Sequence, residues 1–176
     1  MKGFEGPWAA ALTTAMLCGF LFGLAQLGHC QTFDAWPPAQ QSIADYVSTG
    51  IVAGTIGADV LYETHEARTK GLSWQAGFGC PALKYTVVNL SAIGLKAAFP
   101  RERPNHLNNQ DSFSEHTANV TVTAGPWWVD LILGVTVGYF RGAANMHDLL
   151  GVLEGAGLGT LTRLGIRAIP ACRSLS

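Results

Sequence analysis

The chain has 176 residues, 48% of them hydrophobic and 13% charged, with a formal net charge of −1. That length predicts a single domain, and the near-neutral charge excludes the basic stripe of a nucleic-acid binder. Mean hydropathy is +0.22, high for a soluble protein and low for a polytopic membrane protein.

Trp8 to Leu27 (WAAALTTAMLCGFLFGLAQL) carries no formal charge and is long enough to cross a bilayer core of about 30 Å as a helix. Residues 1–30 therefore read as a cleaved signal peptide or as an N-terminal membrane anchor, and both readings stand. Either one exports residues 31–176, the helical domain, to the periplasmic or extracytoplasmic face. Cysteines stand at 18, 30, 80 and 172. In an oxidising compartment Cys80 and Cys172 can pair; two unpaired thiols are the equal alternative. No CxxC or other metal-ligand spacing is present.

Past Pro37-Pro38, Ser42 to Leu61 predicts a helix, and the polar run Glu63 to Lys70 (ETHEARTK) a solvated turn. A second helix is expected from Pro81, a residue suited to a first turn, to Ala98. Pro100 and Pro104 enforce a loop, PRERPNHLNNQDSFSE. Thr117 to Ala124, Trp127 to Phe140 and Leu149 to Ile166 complete the predicted helices. Period-2 alternation is scarce. The expected fold is all-α, a compact bundle of about five to six helices including the N-terminal apolar one.

Three polar clusters lie at the ends of these helices: Lys96 with Arg103-Pro104, then Ser114-x-His116, then Arg141 with His147. Singly, each is what a helix terminus often carries. In order they read Lys-x6-Arg-Pro, Ser-x-His, Arg-x5-His. This resembles the three-part signature of the type 2 phosphatidic acid phosphatase superfamily, which also includes bacterial acid phosphatases and vanadium haloperoxidases. The resemblance reaches roughly from residue 40 to 168, with VLEGAGLG like the small-residue helix that closes the pattern.

The chemistry of the residues agrees. Phosphoryl transfer spreads negative charge over three equatorial oxygens, so its catalyst is chiefly a set of donors. Lys96, Arg103 and Arg141 supply cations, and Ser114 with the N–H groups of the helix after it supplies neutral donors. By resemblance His147 is the nucleophile that becomes phosphohistidine and His116 is the general acid. The three cations neutralise the phosphate, so no metal or other cofactor is implied. The resemblance implies a phosphomonoester or a lipid (pyro)phosphate as substrate, with a membrane surface as a further partner.

Two positions depart from the family pattern. It carries an aspartate one turn after the nucleophilic histidine, which holds the ring in its reactive tautomer; here that residue is Gly151. Asp148 and Glu154 are the candidate replacements. Glu115 stands where the family has glycine, and is expected to face outward. A lone His106 reads as an entrance residue or a solvated loop histidine, and Trp127-Trp128 as an interfacial pair or core.

Only 24 residues, Thr117 to Phe140, join His116 to Arg141. Two equal legs of roughly 18 Å each cannot both cross a core of about 30 Å, which favours a compact exported domain over a six-span one. Two rival readings remain. A phosphate- or lipid-binding protein that has lost turnover is motivated by Gly151 and Glu115; a vanadate-dependent peroxidase shares the same cage.

Overall fold

A computed structural model of the protein describes residues 35–173 and residue 175. The expectations for residues 1–30, signal peptide or anchor, lie outside the described residues. Six helices are described: α1 (Pro38–Thr69), α2 (Trp74–Ala98), α3 (Glu115–Thr121), α4 (Trp127–Ala143), α5 (Leu149–Ala168) and α6 (Pro170–Arg173). Among the described residues there is no strand, only an isolated bridge between Arg101 and Gln110. The all-α bundle is as expected.

The helices differ from expectation at their ends. Pro38 opens α1, with Pro37 at its N-cap, a position where proline's missing N–H costs nothing. The helix then runs straight through Glu63 to Thr69. The expected solvated turn is absent because Glu63 is buried and ion-paired with Lys84 of α2. Helix α2 begins one turn after Gly71, with Ser73 accepting from the Ala76 N–H, and so places Pro81 in its interior. Proline there leaves the carbonyl four residues back without its helical donor. That carbonyl, of Gly77, accepts from the Thr64 hydroxyl at 3.3 Å.

The short helix α3 is the centre of the bundle. It packs against α1, α2, α4 and α5, and Thr117 to Thr121 are all buried. Helix α5 comes this close because it presents glycines. A Cβ on Gly155 would lie 2.3 Å from the Ser114 carbonyl oxygen, and one on Gly159 2.1 Å from Thr121 Oγ1. The two legs after His116 are unequal: α3 stops after seven residues, and α4 returns over seventeen.

Beyond α3 the backbone leaves helical geometry inside the bundle, and its polar groups need partners. Asp59 accepts from the Ala124 N–H at 2.7 Å, and Arg163 donates to the Gly125 carbonyl. Thr123 donates to Asp130, which also pairs with Arg163. Asp59 in turn binds Lys84 at 2.6 Å and accepts from the Tyr85 hydroxyl at 2.9 Å. Buried charge here completes an interrupted helix.

Apolar packing is divided among three small clusters, around Val88 and Val122, around Ala44 and Ala143, and around Cys80 and Ile166. Cys80 and Cys172 form a disulfide that ties α6 to α2. Many large apolar side chains instead point outward, among them Tyr46, Phe78, Leu90 and Val135. Trp127 and Trp128 are exposed too, so the core-packing alternative for that pair does not hold. Among the described residues one helix, α5, is long and apolar enough to cross a membrane.

Candidate active site

The three clusters come together at the end of the bundle where α1 begins. Asp45 and Thr49, one turn apart on α1, each hold one member. Asp45 pairs with Arg141 from the last turn of α4, and Thr49 Oγ1 lies 3.2 Å from His116 Nε2. The His147 N–H reaches the Arg141 carbonyl at 3.4 Å, closing the turn after α4. Arg103 donates to the sulfur of Met146, beside His147, at 3.2 Å. Lys96, in the last turn of α2, lies 2.7 Å from Glu115.

Glu115 therefore does not face outward as expected. Its carboxylate is drawn in by Lys96. With Asp45 on Arg141, two of the three cations already have partners. Of the three, Arg103 alone has no carboxylate partner among the described residues, in place of the full cationic cage expected. The Nε atoms of Arg103 and Arg141 are buried with no partner among the described residues.

Ser114 serves as the N-cap of α3, fully buried. Its oxygen accepts from the Thr117 N–H and hydroxyl at 3.4 and 3.1 Å. Its own hydroxyl proton is what it has to offer a phosphate. The helix it caps is only seven residues long, and its Thr117 and Ala118 N–H groups are bonded to Ser114 itself. The supply of free helix N–H groups is smaller than expected.

Both histidines are held neutral near pH 7. Burial, then the nearby Arg141 charge, push His116 down to about 4. Burial also lowers His147, against the opposing hydrogen bond its ring N–H donates to Asp111. His147 is 2% exposed. Its Nδ1 lies 2.6 Å from the main-chain oxygen of Asp111 and 3.2 Å from Asp111 Oδ1. A carbonyl can only accept, so Nδ1 carries the proton and Nε2 keeps its lone pair.

Asp148 and Glu154 are not the carboxylates at the ring. Asp148 caps α5 through the Gly151 N–H at 2.7 Å, and both acids bind Arg101, at 3.2 and 3.2 Å. Arg101 and Asp111 were not among the sequence candidates. Both lie in the polar loop between Pro100 and Glu115, and Asp111 meets a partner 36 positions away in sequence, so no local spacing marks it. Ser112 Oγ is likewise buried and unpartnered among the described residues. His106 is an exposed loop histidine bonded to Glu102 at 2.7 Å, which favours the solvated reading. The chain matches no model of a known family, no curated protein and no solved structure.

Proposed function

We propose that the protein is a phosphatase of the type 2 phosphatidic acid phosphatase kind, exported and working through a phosphohistidine. The observation that carries this reading is a buried, neutral His147 whose Nε2 is unprotonated, with Arg141, a second neutral histidine and, through Met146, Arg103 close by. The α3–α4 interruption is satisfied by a separate set of residues around Asp59 and Arg163.

In the first step the Nε2 lone pair attacks phosphorus, the ester P–O bond breaks, and its electron pair leaves with the alkoxide. His116, protonated once an anionic ester sits beside it, passes that proton to the leaving oxygen. Neutral His116 then takes a proton from a water that attacks the phosphohistidine, which frees phosphate and restores His147. Arg103 and Arg141 stabilise the equatorial oxygens through both steps. In the resting site Asp45 holds Arg141 and Glu115 holds Lys96.

The leaving group we favour is a lipid alcohol or lipid phosphate. Ile43, Tyr46 and Val47 stand exposed around Asp45, Phe99 and Leu107 flank the arginine loop, and Leu149 follows His147. An apolar rim of this kind suits a membrane surface as partner. The Cys80–Cys172 disulfide fits the extracytoplasmic side. A second reading, a phosphate-binding protein without turnover, is favoured by the Asp45 and Glu115 pairings, which a bound phosphate must displace.

Phosphate release from p-nitrophenyl phosphate and from phosphatidic acid micelles tests the proposal. Release by the wild type that vanishes in His147→Asn, faster on the lipid, is the expected result. Tight vanadate binding with no release from either substrate would replace it with the binding reading.

A further inference from the structure

We infer that Asp111 is the positioning residue for His147, acting mainly through its main-chain carbonyl, and that Gly151 is glycine because the Asp111 main chain fills the space beside it. The inference rests on the phosphatase reading for what the positioning serves, though not for the positioning itself.

The geometry leaves little latitude. A Cβ built on Gly151 would lie 2.3 Å from the Asp111 oxygen, 3.1 Å from His147 Nδ1 and 3.2 Å from Arg101 Nη2. The first distance is impossible without a backbone shift. Any side chain at 151, aspartate included, would push the carbonyl off the ring it now holds at 2.6 Å. The orienting group has therefore moved from the helix after the histidine to the loop before α3.

That loop is fastened on every side. Asp111 Oδ2 accepts from Arg101 Nε at 3.0 Å, and Oδ1 from the Asp148 N–H at 3.0 Å. The Asp111 N–H bonds the Arg101 carbonyl at 2.9 Å, closing the loop on itself. Arg101 also reaches Asp148 and Glu154, and Glu154 accepts from the Phe113 N–H at 3.1 Å. Phe113, at φ 51, holds a left-handed conformation that costs an aromatic residue energy unless its surroundings impose it. Asp148 and Glu154 thus act on His147 at one remove, by fixing the guanidinium that fixes Asp111. As Nε2 takes a phosphoryl group the ring becomes cationic, and the adjacent Asp111 carboxylate offsets that charge.

The test uses the full chain with ¹⁵N-labelled histidine and reads the His147 tautomer from long-range ¹H–¹⁵N correlations. Phosphate release and vanadate binding are measured on the same samples. Wild type is expected to show protonated Nδ1 and bare Nε2. Gly151→Asp is expected to mix the tautomers and to lower turnover by roughly 10²- to 10⁴-fold, the scale set by a misplaced tautomer in a hydrolase triad. Asp111→Asn keeps the main-chain carbonyl but turns an NH2 toward Arg101 Nε or the Asp148 N–H, so circular dichroism checks its fold, and that of Gly151→Asp, before activity is read. Asp111→Asn should retain the tautomer and lose about tenfold in kcat with KM little changed, roughly the value of one charged contact at the ring. A Gly151→Asp protein that keeps the Nδ1–H tautomer, or turns over as fast as wild type, overturns the inference. If wild type releases no phosphate, the phosphatase reading fails alone. The tautomer shift in Gly151→Asp then still decides the positioning.

Discussion

Two ionic clusters lie along α1, a half-exposed one around Asp45 and a buried one around Asp59 and Glu63, fourteen residues or about 21 Å apart along the helix. They look alike in composition and differ in what they leave open. In the Asp59 cluster, Lys84 is bonded to both carboxylates, Asp130 to Thr123 and Arg163, and the loop N–H and carbonyl groups to Asp59 and Arg163. Unpartnered guanidinium Nε atoms occur in both, at Arg163 and Arg167 as at Arg103 and Arg141, so they do not separate the two. Histidine does. The Asp45 end alone adds two neutral imidazoles, one with a bare nitrogen. On the proposed reading, His147 is the nucleophile that makes this end the reaction site.

The widest separation comes from breaking each cluster at its centre. His147→Asn should abolish turnover, by about 10⁴-fold or more if it behaves like other catalytic nucleophiles, while far-UV circular dichroism keeps its helical form. Lys84→Met should leave Asp59 and Glu63 buried without their cation and cost about 3–5 kcal/mol, measured by urea unfolding. A Lys84→Met protein of wild-type stability, or a collapsed fold in His147→Asn, would remove the distinction.

Acid should sharpen it next. A histidine whose pKa is lowered on folding contributes stability that is full above its unfolded value near 6.5. That stability falls as pH drops through the folded value, for His116 about 4. Asp148, raised to about 6 by burial, acts with the opposite sign over the same range, so the His116 contribution is read by difference: His116→Gln should lose less stability than the wild type between about pH 6.5 and 4. Turnover should run the other way. The acid form of His116 is required, so kcat/KM rises as pH falls from 7 toward 5. The same profile in wild type and His116→Gln across that window would contradict the buried, neutral His116.

The smallest expected effect concerns Glu115. Its pair with Lys96 is partly exposed and so worth at most about 1 kcal/mol. Glu115→Gln should tighten vanadate binding by no more than about fivefold, read by calorimetry. A weakened affinity would mean that Glu115 organises the cage rather than competing with its ligand.

How far the sequence carried these conclusions depended on the range of each interaction. Arg141, His147 and the helix that follows are neighbours in sequence, and their spacing was readable. So were the helices, from their apolar runs. Glu63 to Thr69 was misread because polarity signals exposure unless a buried partner exists, and Lys84 lies one helix away. The replacement for the missing aspartate was invisible for a related reason. It is chiefly a main-chain carbonyl, which every residue possesses, delivered by a loop whose path is set by Arg101. Gly151 was the one local trace, a glycine where a carboxylate was expected.

The most direct test of the central claim is to trap the phosphoryl-enzyme. The protein is mixed with phosphatidic acid, quenched in alkali where phosphohistidine survives, and mapped by peptide mass. The account predicts one added phosphoryl group on the peptide bearing His147, absent in His147→Asn. Turnover with no phosphorylated peptide, or with the label on another residue, would contradict it.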